Sequence, residues 1–549
     1  MAGRTWLAVA LACLVWFGYM KWFVPAPQPV APRSTVQSKD AAPSEGLNPG
    51  SNLGQGSSSS NALVQTGSPL STATSEEVDQ SSLVELRNES LSLSFSPSGG
   101  KIYEAQVLEY HRSLEEGSPH ITPISPKRSP ISLATLFSHP KLQSFSNGAY
   151  EVSREGNDVL FVREENGILI KKKYHLNEDG HFVDMEMELQ FPEASDRSQW
   201  GYLMVPVGGT DYDFDFAVPL KAWEVVSFQD GSTTREQYDS IEEGEEAKQG
   251  NTGWLAFGNR YFATAVVSLS QINPDVVFVN KPGFKGGYLR YPIQRKAGEA
   301  TLAFQFKFFA GPKDIDEISK VEGMRQLVDY GFFSFFAYPM LALLRFFYGV
   351  FHNYGVAIIL LTLLVRAIFY PLSLKSFRSM KKMQKLQPQL KAMREKYKDD
   401  PQRMNQEQMA MFRAHKVNPM GGCLPMLVQL PVFFALYTLL SNSIELFQAP
   451  FFGWIQDLSD KDPYYIFPVL MGLAMLGQQK MTPTAGMDPM QAKMMMFMPI
   501  IFTFIMLNLP SGLTLYIFLS TLLGILQQWV INREPSSTVV ASPSSGGES

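Results

Sequence analysis

Short runs that alternate apolar and polar residues fill the chain from residue 82 to about residue 311. Clear examples lie at 91–95, 182–189 and 301–308, and turn-forming pairs such as Asn166-Gly167 separate neighbouring runs. Alternation with a period of two is typical of strands with one buried face, and tight turns join antiparallel neighbours. The pattern predicts one large antiparallel β-sandwich domain over residues 81–311.

Long apolar runs dominate the rest of the chain, and most are about as long as a bilayer-spanning helix needs to be. Five predicted spans lie at about 349–370, 421–440, 464–481, 494–509 and 512–531. With the apolar run from Trp6 to Val24, they define the fold class as a six-span α-helical membrane protein with a large β-sandwich domain. The aromatic-rich segment 331–345 contains Pro339 and ends in a charge. It favours a helix on the outer membrane surface, with a true span as the alternative.

The remaining segments connect these parts. Residues 1–24 should form an uncleaved membrane anchor, because prolines crowd the place where a signal peptide would be cleaved. Residues 25–80 are rich in Pro, Ser, Gly, Gln and Asn, which predicts a disordered tether. We expect connecting and interfacial helices over 312–348, a five-span core over 349–533 and a disordered tail over 534–549.

The segment 371–419 carries twelve basic and four acidic residues, the charge balance of a cytoplasmic loop. This orientation places both chain ends in the cytoplasm and the β domain in the periplasm. Apolar residues recur mostly every three or four positions in the segment, so it should form a helical hairpin. Its basic side chains should contact ribosomal RNA, anionic lipid or a nascent chain, unless their charge only sets the topology. The candidate contact residues include Lys381, Lys382, Lys385 and Arg394.

Arg366 is a cation inside the apolar run 354–370, and the apolar segments that follow contain no Asp or Glu. A charge at mid-bilayer costs roughly 2.5 to 3.5 kcal/mol, so it normally faces protein, water or an opposite charge. Pro371 ends the run only about 7.5 Å further along a helix, so snorkelling to the interface is the alternative. Thr362 extends a polar line one turn deeper on the same face. Arg366 therefore indicates a wet cavity or a partner from another molecule.

Other polar side chains are sparse at span level, and if they converged with Arg366 they would line a wet groove. They are Thr362, Gln429, Gln478, Gln479, Thr503, Asn508, Thr514 and Ser520. Many of the 25 methionines lie in or near the last spans. Flexible thioethers suit varied apolar clients, although methionine is also ordinary apolar filler in lipid.

Several kinds of chemistry have no sequence signature here. The chain has no phosphate-binding loop, no His-Glu-x-x-His and no Gly-x-Ser-x-Gly, and its seven histidines show no metal-ligand spacing. We therefore expect no cofactor, no bound metal and no enzymatic reaction. A transporter using Arg366 as an anion site is the main alternative, but the chain has no inverted repeat and no intramembrane carboxylate.

Four segments carry a family resemblance: 361–373, 396–401, 417–437 and 510–516. The first reads LTLLVRAIFYPLS, the second KYKDDP and the last PSGLTLY, while the third contains VNPMGGCLPMLVQLP. They closely resemble the bacterial YidC membrane-protein insertases. The anchor, tether and β domain resemble the Gram-negative form of that family.

The resemblance implies a five-helix core around a hydrophilic groove that opens to the cytoplasm and lipid and is closed toward the periplasm. Arg366 matches the groove arginine, Thr362 and Gln429 match its polar companions, and Tyr516 falls in the last span, which contacts substrate. We add Gln479 to this set of groove residues.

The family's activity then implies insertion and folding of nascent membrane proteins in the inner membrane. Family members act alone or beside the Sec translocon, so the implied partners are nascent membrane proteins, Sec components, the phospholipid bilayer and the ribosome. Two departures limit the comparison. Ile517 stands where many relatives have a second aromatic residue, and the tail after Arg533 is not basic, so it offers no ribosome contact.

Overall fold

A computed structural model describes residues 80–192, 199–209, 223–296, 300–398, 400–415, 424–481 and 489–533. The predicted anchor, the predicted tether up to residue 79 and the predicted tail lie outside these ranges.

The β domain contains eighteen strands within the described residues, with one short helix between the fifth and sixth. The first nine strands are β1 Val84–Arg87, β2 Leu91–Ser96, β3 Lys101–His111, β4 His120–Ile124, β5 Leu136–Phe137, β6 Glu151–Glu155, β7 Asp158–Glu165, β8 Ile168–Leu176 and β9 Phe182–Gln190. The others are β10 Gln199–Gly209, β11 Glu224–Gln229, β12 Ser232–Gln237, β13 Gly244–Lys248, β14 Thr252–Gly258, β15 Phe262–Ser268, β16 Asp275–Lys281, β17 Phe284–Gln294 and β18 Thr301–Pro312. The helix is α1, Pro140–Asn147.

The strands form three sheets with nine, five and four members. The nine-stranded order is β12-β11-β14-β15-β18-β9-β8-β7-β6, the five-stranded order is β13-β16-β17-β10-β5, and the four-stranded order is β1-β2-β3-β4. One apolar core takes residues from all three sheets, including Phe95, Tyr174, Leu289 and Phe306. In β18, Leu302, Phe304 and Phe306 are buried and the residues between them are exposed, because side chains alternate across a strand. The predicted β-rich domain is confirmed.

Nine helices follow β18 in the described part of the chain. They are α2 Ile315–Ile318, α3 Ser334–Phe351, α4 Tyr354–Lys385, α5 Gln387–Lys396, α6 Pro401–Ala414, α7 Leu424–Asn442, α8 Ile466–Met481, α9 Pro489–Met506 and α10 Ser511–Arg533. The Asn353 side chain accepts from the Val356 amide at the start of α4, and Asp400 caps α6 in the same way through the Arg403 amide.

Helix α4 differs from its prediction at Pro371. The apolar run ends there, but the helix continues to Lys385. Proline removes one backbone donor and disturbs one turn, which a long helix in a membrane protein tolerates. The basic segment therefore begins as an extension of α4, and α5 and α6 form the hairpin beyond it.

Three helices of the described chain are long and apolar enough to cross a membrane: Ser334–Phe351, Tyr354–Lys385 and Ser511–Ile531. A shorter apolar helix covers Met496–Met506. The six predicted spans are therefore not confirmed. Helix α3 qualifies by composition, yet Arg345 near its end bonds to Asp316 of α2 and to Glu445 after α7. These contacts favour the interfacial interpretation of α3, which stays a prediction.

The β domain packs directly against the helices through residues 313–330, which we call the joint. Trp254 of β14, Leu327 of the joint and Leu436 of α7 belong to one apolar cluster. The hydroxyls of Tyr330 and Ser443 lie 3.1 Å apart, and the Asn442 amide donates to the Asp329 carbonyl at 2.6 Å. The end of α7 nearest the β domain is therefore fixed by both apolar and polar contacts.

Candidate functional site

Arg366 lies on α4 facing α10, and its side chain is half-buried. Nε donates to the Ser520 hydroxyl at 3.0 Å, while Nη2 donates to the Ser520 hydroxyl at 2.6 Å and to the Ser520 carbonyl at 2.5 Å. These bonds fix the plane of the guanidinium. Among the described residues, no carboxylate lies within ion-pair distance of Arg366, whereas Arg345 pairs with Asp314, Asp316 and Glu445.

Four residues of α10 form a polar stripe that continues from this contact. Tyr516, Ser520, Gly524 and Gln528 are spaced four residues apart and therefore lie on one face of the helix. We call them the α10 stripe. It combines a phenol, a hydroxyl, a bare backbone position and an amide, so it offers both hydrogen-bond donors and acceptors.

Three other helices supply partners to the α10 stripe. Gln429 of α7 and Ser520 lie beside the phenol of Tyr516. Arg366 of α4 bonds to Ser520, as described above. Near Gly524, a Cβ atom would lie 3.0 Å from Nε2 of Gln478 on α8. Gln528 donates through Nε2 to the carbonyl of Met481 at 2.8 Å. Polar side chains that are distant in sequence therefore converge on one face of α10.

Two sequence-predicted groove residues have other surroundings. Thr362 is buried and donates to the carbonyl of Ile358 on its own helix at 2.6 Å. Gln479 is half-buried, and its amide oxygen has no hydrogen-bond partner within the described ranges. A role in binding stays a prediction for both. Thr503 and Thr514 also donate to their own helices, through the carbonyls of Pro499 and Ser511.

Ser520 and Gln478 are among the polar residues predicted at span level but not among the predicted groove residues, and Gly524 is in neither set. The spacing of four residues from Tyr516 to Ser520 and Gly524 is a signal that identifies the first two, because it places them on one helical face. Gln478 is adjacent to the predicted Gln479, and its side chain is the one that approaches Arg366 across Gly524. The sequence offers no signal that separates these two glutamines.

The start of α10 is covered by residues 448–465, which we call the outer loop. The Ser511 amide donates to the Asp460 carbonyl at 2.7 Å, and the Gly512 amide donates to the Leu458 carbonyl at 2.9 Å. The Ser511 hydroxyl donates to the Asp457 carbonyl at 2.8 Å. This end of the α10 stripe is therefore held to the outer loop by two backbone hydrogen bonds and one from the Ser511 side chain.

The predicted hairpin residues differ in their surroundings. Lys381 donates to the carbonyl of Ile531 near the end of α10 at 3.0 Å, while Lys382 and Lys385 are exposed. The side chain of Arg394 lies outside the described part of the structure. Leu386, Leu390 and Phe412 form a small core between α5 and the end of α6. Lys381 thus has a local structural partner, and Lys382 and Lys385 present their charge to solvent.

Comparisons with known proteins match both the β domain and the helical part of the chain to family models. The family model described as "YidC periplasmic domain" matches residues 83–343, and the model described as "60Kd inner membrane protein" matches residues 346–538. A solved structure of an active YidC insertase, with its first transmembrane domain resolved, is 21% identical. It covers 82% of this chain and 93% of its own, with a TM-score of 0.36.

Curated relatives match over most of the chain or nearly all of it. A membrane protein insertase YidC of Geobacter metallireducens is 35% identical over 557 residues, covering 97% of this chain and 98% of the relative. Another, from Geotalea daltonii, is 39% identical over 402 residues, covering 71% and 74%. The 35% identity to the Geobacter metallireducens relative, over nearly the whole length of both chains, shows the family. The chain therefore belongs to the YidC family of membrane protein insertases.

Proposed function

We propose that this protein inserts nascent membrane proteins by receiving a short hydrophilic client segment at Arg366 and the α10 stripe. The observation that carries the proposal is that Ser520 orients the Arg366 guanidinium, while no carboxylate of the described chain neutralises it. A half-buried cation of this kind attracts an acidic group more strongly than the same cation does in water.

The energy for insertion comes from the client itself. Burial of its apolar span in lipid is worth roughly 25 cal/mol per Å² of apolar surface, so the step needs no bound nucleotide. Arg366 lowers the barrier for the polar segment that precedes or follows the span. In this mechanism the protein acts as an insertase and chaperone and carries out no enzymatic reaction.

The cellular setting follows from the family and from the charge pattern. We infer an inner-membrane protein with its β domain in the periplasm and both chain ends in the cytoplasm. The outer loop over the start of α10 supports a groove that is closed toward the periplasm. We further infer that it acts alone on small clients and beside the Sec translocon on larger ones. The exposed Lys382 and Lys385 are suited to contact the ribosome or anionic lipid.

The test uses purified full-length protein in sealed liposomes without nucleotide. The readout is protease protection of a one- or two-span client whose translocated tail is acidic, beside the same client with a neutral tail. Arg366→Ala should reduce protection of the acidic-tail client, and Arg366→Lys should retain much of it because the charge remains. Equal loss in both variants would indicate a structural arginine. Protection no greater than in empty liposomes would contradict autonomous insertion.

A further inference from the structure

The last turns of α10 carry an arginine stacked on a tryptophan at the outer surface of the protein. Cζ of Arg533 lies 3.6 Å from the centroid of the Trp529 ring, and both side chains are exposed. A guanidinium over the face of an aromatic ring is attracted by the ring electrons. The indole of Trp529 therefore holds the charge of Arg533 at a defined place beside the helix.

This stacking leaves the hydrogen-bonding edge of the Arg533 guanidinium open. The five N–H donors of a guanidinium lie in its plane, whereas the contact with an aromatic ring uses its face. Arg533 makes no hydrogen bond or ion pair with any described residue. A planar guanidinium binds phosphate or carboxylate oxygens two at a time. The pair is thus suited to an anion from outside the described chain.

An exposed apolar face of α10 leads up to the pair. Leu522, Leu526 and Val530 are exposed and lie on the side of α10 away from the α10 stripe, which packs against the other helices. At 1.5 Å per residue, about 16 Å separates Leu522 from Arg533, close to half of the roughly 30 Å hydrocarbon thickness of a bilayer. The face therefore has the length of one leaflet, with the cation at headgroup level.

Two neighbouring helices bring further cations to the same end of α10. Lys381 of α4 donates to the carbonyl of Ile531 at 3.0 Å, which offsets the negative end of the helix dipole. Lys480 is exposed at the end of α8, and the next residue, Met481, accepts a hydrogen bond from Gln528 of α10. Positive charges from three helices therefore lie at this end of α10.

The combination of cations and apolar surface selects one kind of ligand. A free phosphate ion uses the cations but gains nothing from the apolar face. A zwitterionic phospholipid carries its own cation, which competes with those of the protein for the phosphate. An anionic phospholipid uses both parts, because its acyl chains lie along the apolar face and its negative charge meets the cations.

We propose that Trp529, Arg533 and Lys480 form a binding site for the headgroup of an anionic phospholipid whose acyl chains lie along the outer face of α10. The site lies on the other side of α10 from Arg366 and Ser520. It therefore goes beyond the proposed function and does not depend on it. The bound lipid holds the end of α10 at the membrane surface.

The first test measures lipid bound to the purified full-length protein in an uncharged detergent. Native mass spectrometry counts anionic phosphatidylglycerol and zwitterionic phosphatidylcholine, added in equal amounts with the same acyl chains. The parent protein should retain phosphatidylglycerol in preference to phosphatidylcholine. Arg533→Gln should lower the phosphatidylglycerol-bound fraction roughly fivefold, the effect of one cation at an anionic surface, and leave bound phosphatidylcholine unchanged.

The matched control for that variant is Arg403→Gln. Arg403 is also an exposed arginine beside an aromatic side chain, with Cζ 5.5 Å from the centroid of the Tyr397 ring. It lies on α6, which is not among the described helices that are long and apolar enough to cross a membrane. Arg403→Gln removes the same charge from the same kind of contact and should leave both bound lipids unchanged.

A second variant, Trp529→Leu, keeps the charge of Arg533 and an apolar side chain on the same face. It removes only the aromatic platform, so it should lower the phosphatidylglycerol-bound fraction roughly threefold. Tyr397→Leu is its control and should have no effect. Thermal unfolding of each purified variant checks that the fold is retained.

Three results would overturn the site. Equal losses in Arg533→Gln and Arg403→Gln would show that lipid binding follows only the total charge of the protein. A parent protein that binds the two lipids equally would show that this end of α10 does not select an anionic headgroup. Displacement of phosphatidylglycerol by an equal concentration of inorganic phosphate would show a phosphate site to which the apolar face contributes nothing.

Discussion

The guanidinium of Arg366 is fixed by Ser520, which lies 154 residues further along the chain. Three hydrogen bonds join them, two of them to the Ser520 hydroxyl and one to its carbonyl. Both acceptor groups of Ser520 are uncharged, so they leave the positive charge of Arg366 available to another partner. Orientation without neutralisation is what a binding site for an acidic segment requires.

Ser520→Ala should weaken insertion of acidic-tail clients without removing it. The variant loses the hydroxyl acceptor but keeps the Ser520 carbonyl, and hydrogen bonds to charged groups are worth about 1.5 to 3 kcal/mol. We expect a loss of roughly fivefold in protease-protected client, since part of that interaction remains. Thr521→Ala is the matched control, because the Thr521 hydroxyl donates to the Ile517 carbonyl of its own helix. Equal losses in the two variants would contradict an orienting role for Ser520.

The cytoplasmic lysines should separate into a structural residue and exposed residues. Lys381 bonds to a carbonyl in the last turn of α10, where backbone acceptors lack helical partners. Lys381→Met should therefore speed amide hydrogen exchange at the end of α10, with an effect of about 1 kcal/mol. Lys382→Met should leave that exchange unchanged and weaken binding to ribosomes or anionic vesicles. Unchanged exchange in Lys381→Met would show that the bond does not hold α10.

The sequence predicts the local elements better than their arrangement. The alternation over 182–189 and 301–308 identifies β9 and β18, because one face of each strand is buried in the core. The division into three sheets depends on pairings between distant strands, such as β15 with β18. Such pairings leave little trace in a single sequence. Strand β5 has only two residues, too few to show a period.

The candidate site shows the same limit. Arg366 stands out because a charge in an apolar run is costly, and Gln429 and Tyr516 follow from the resemblance. Ser520 and Gly524 are small residues that the sequence marks only weakly, through their four-residue spacing from Tyr516. Their importance arises from the packing of α10 against α4 and α8, which brings Arg366 and Gln478 to one point. A single sequence does not contain that contact.

Lys172 gives the β domain a pH-dependent weakness. Its side chain is fully buried, and no carboxylate lies within ion-pair distance of it in the described residues. Burial, with a smaller effect of Lys101, holds the pKa of Lys172 well below its ordinary value of 10.5. Lys172 therefore binds its proton more tightly in the unfolded chain than in the folded one. As a result, the folded state loses stability as pH falls from 10.5 toward the lowered pKa.

Lys172→Met should therefore raise the unfolding temperature of the full-length protein at neutral pH. The substitution removes the hydrogen bond from the Lys172 amine to the Gly99 carbonyl, which costs about 1 kcal/mol. The gain from no longer burying an amine should exceed this cost. The advantage should shrink as pH rises toward 10.5. Lys173→Met is the control, since Lys173 lies on the exposed face and pairs with Asp158. A gain that does not change with pH would contradict the titration of Lys172.

Arg345 and Glu445 should couple the joint to the helices. Nη2 of Arg345 lies 2.5 Å from Glu445, whose side chain is only 8% exposed, and Nη1 lies 2.7 Å from Asp316. Arg345→Met leaves the Glu445 carboxylate buried without its cation. Removing one partner of a buried pair is strongly destabilising, and the partial exposure of Arg345 lowers the expected cost to about 2 kcal/mol. The measurement is thermal unfolding of the full-length protein in detergent.

Two further results test whether Glu445 is the cause of that loss. Burial raises the pKa of Glu445, although Arg345 opposes the rise, so the pKa should rise further without Arg345. A raised carboxyl pKa costs stability at high pH and none once the group is protonated in both states. The deficit of Arg345→Met should therefore shrink as pH falls from about 8 to about 5. Adding Glu445→Gln should restore most of the lost stability at neutral pH. If the stability loss of Arg345→Met does not change with pH, and Glu445→Gln increases that loss, the packing of the arginine side-chain stem stabilises the joint instead.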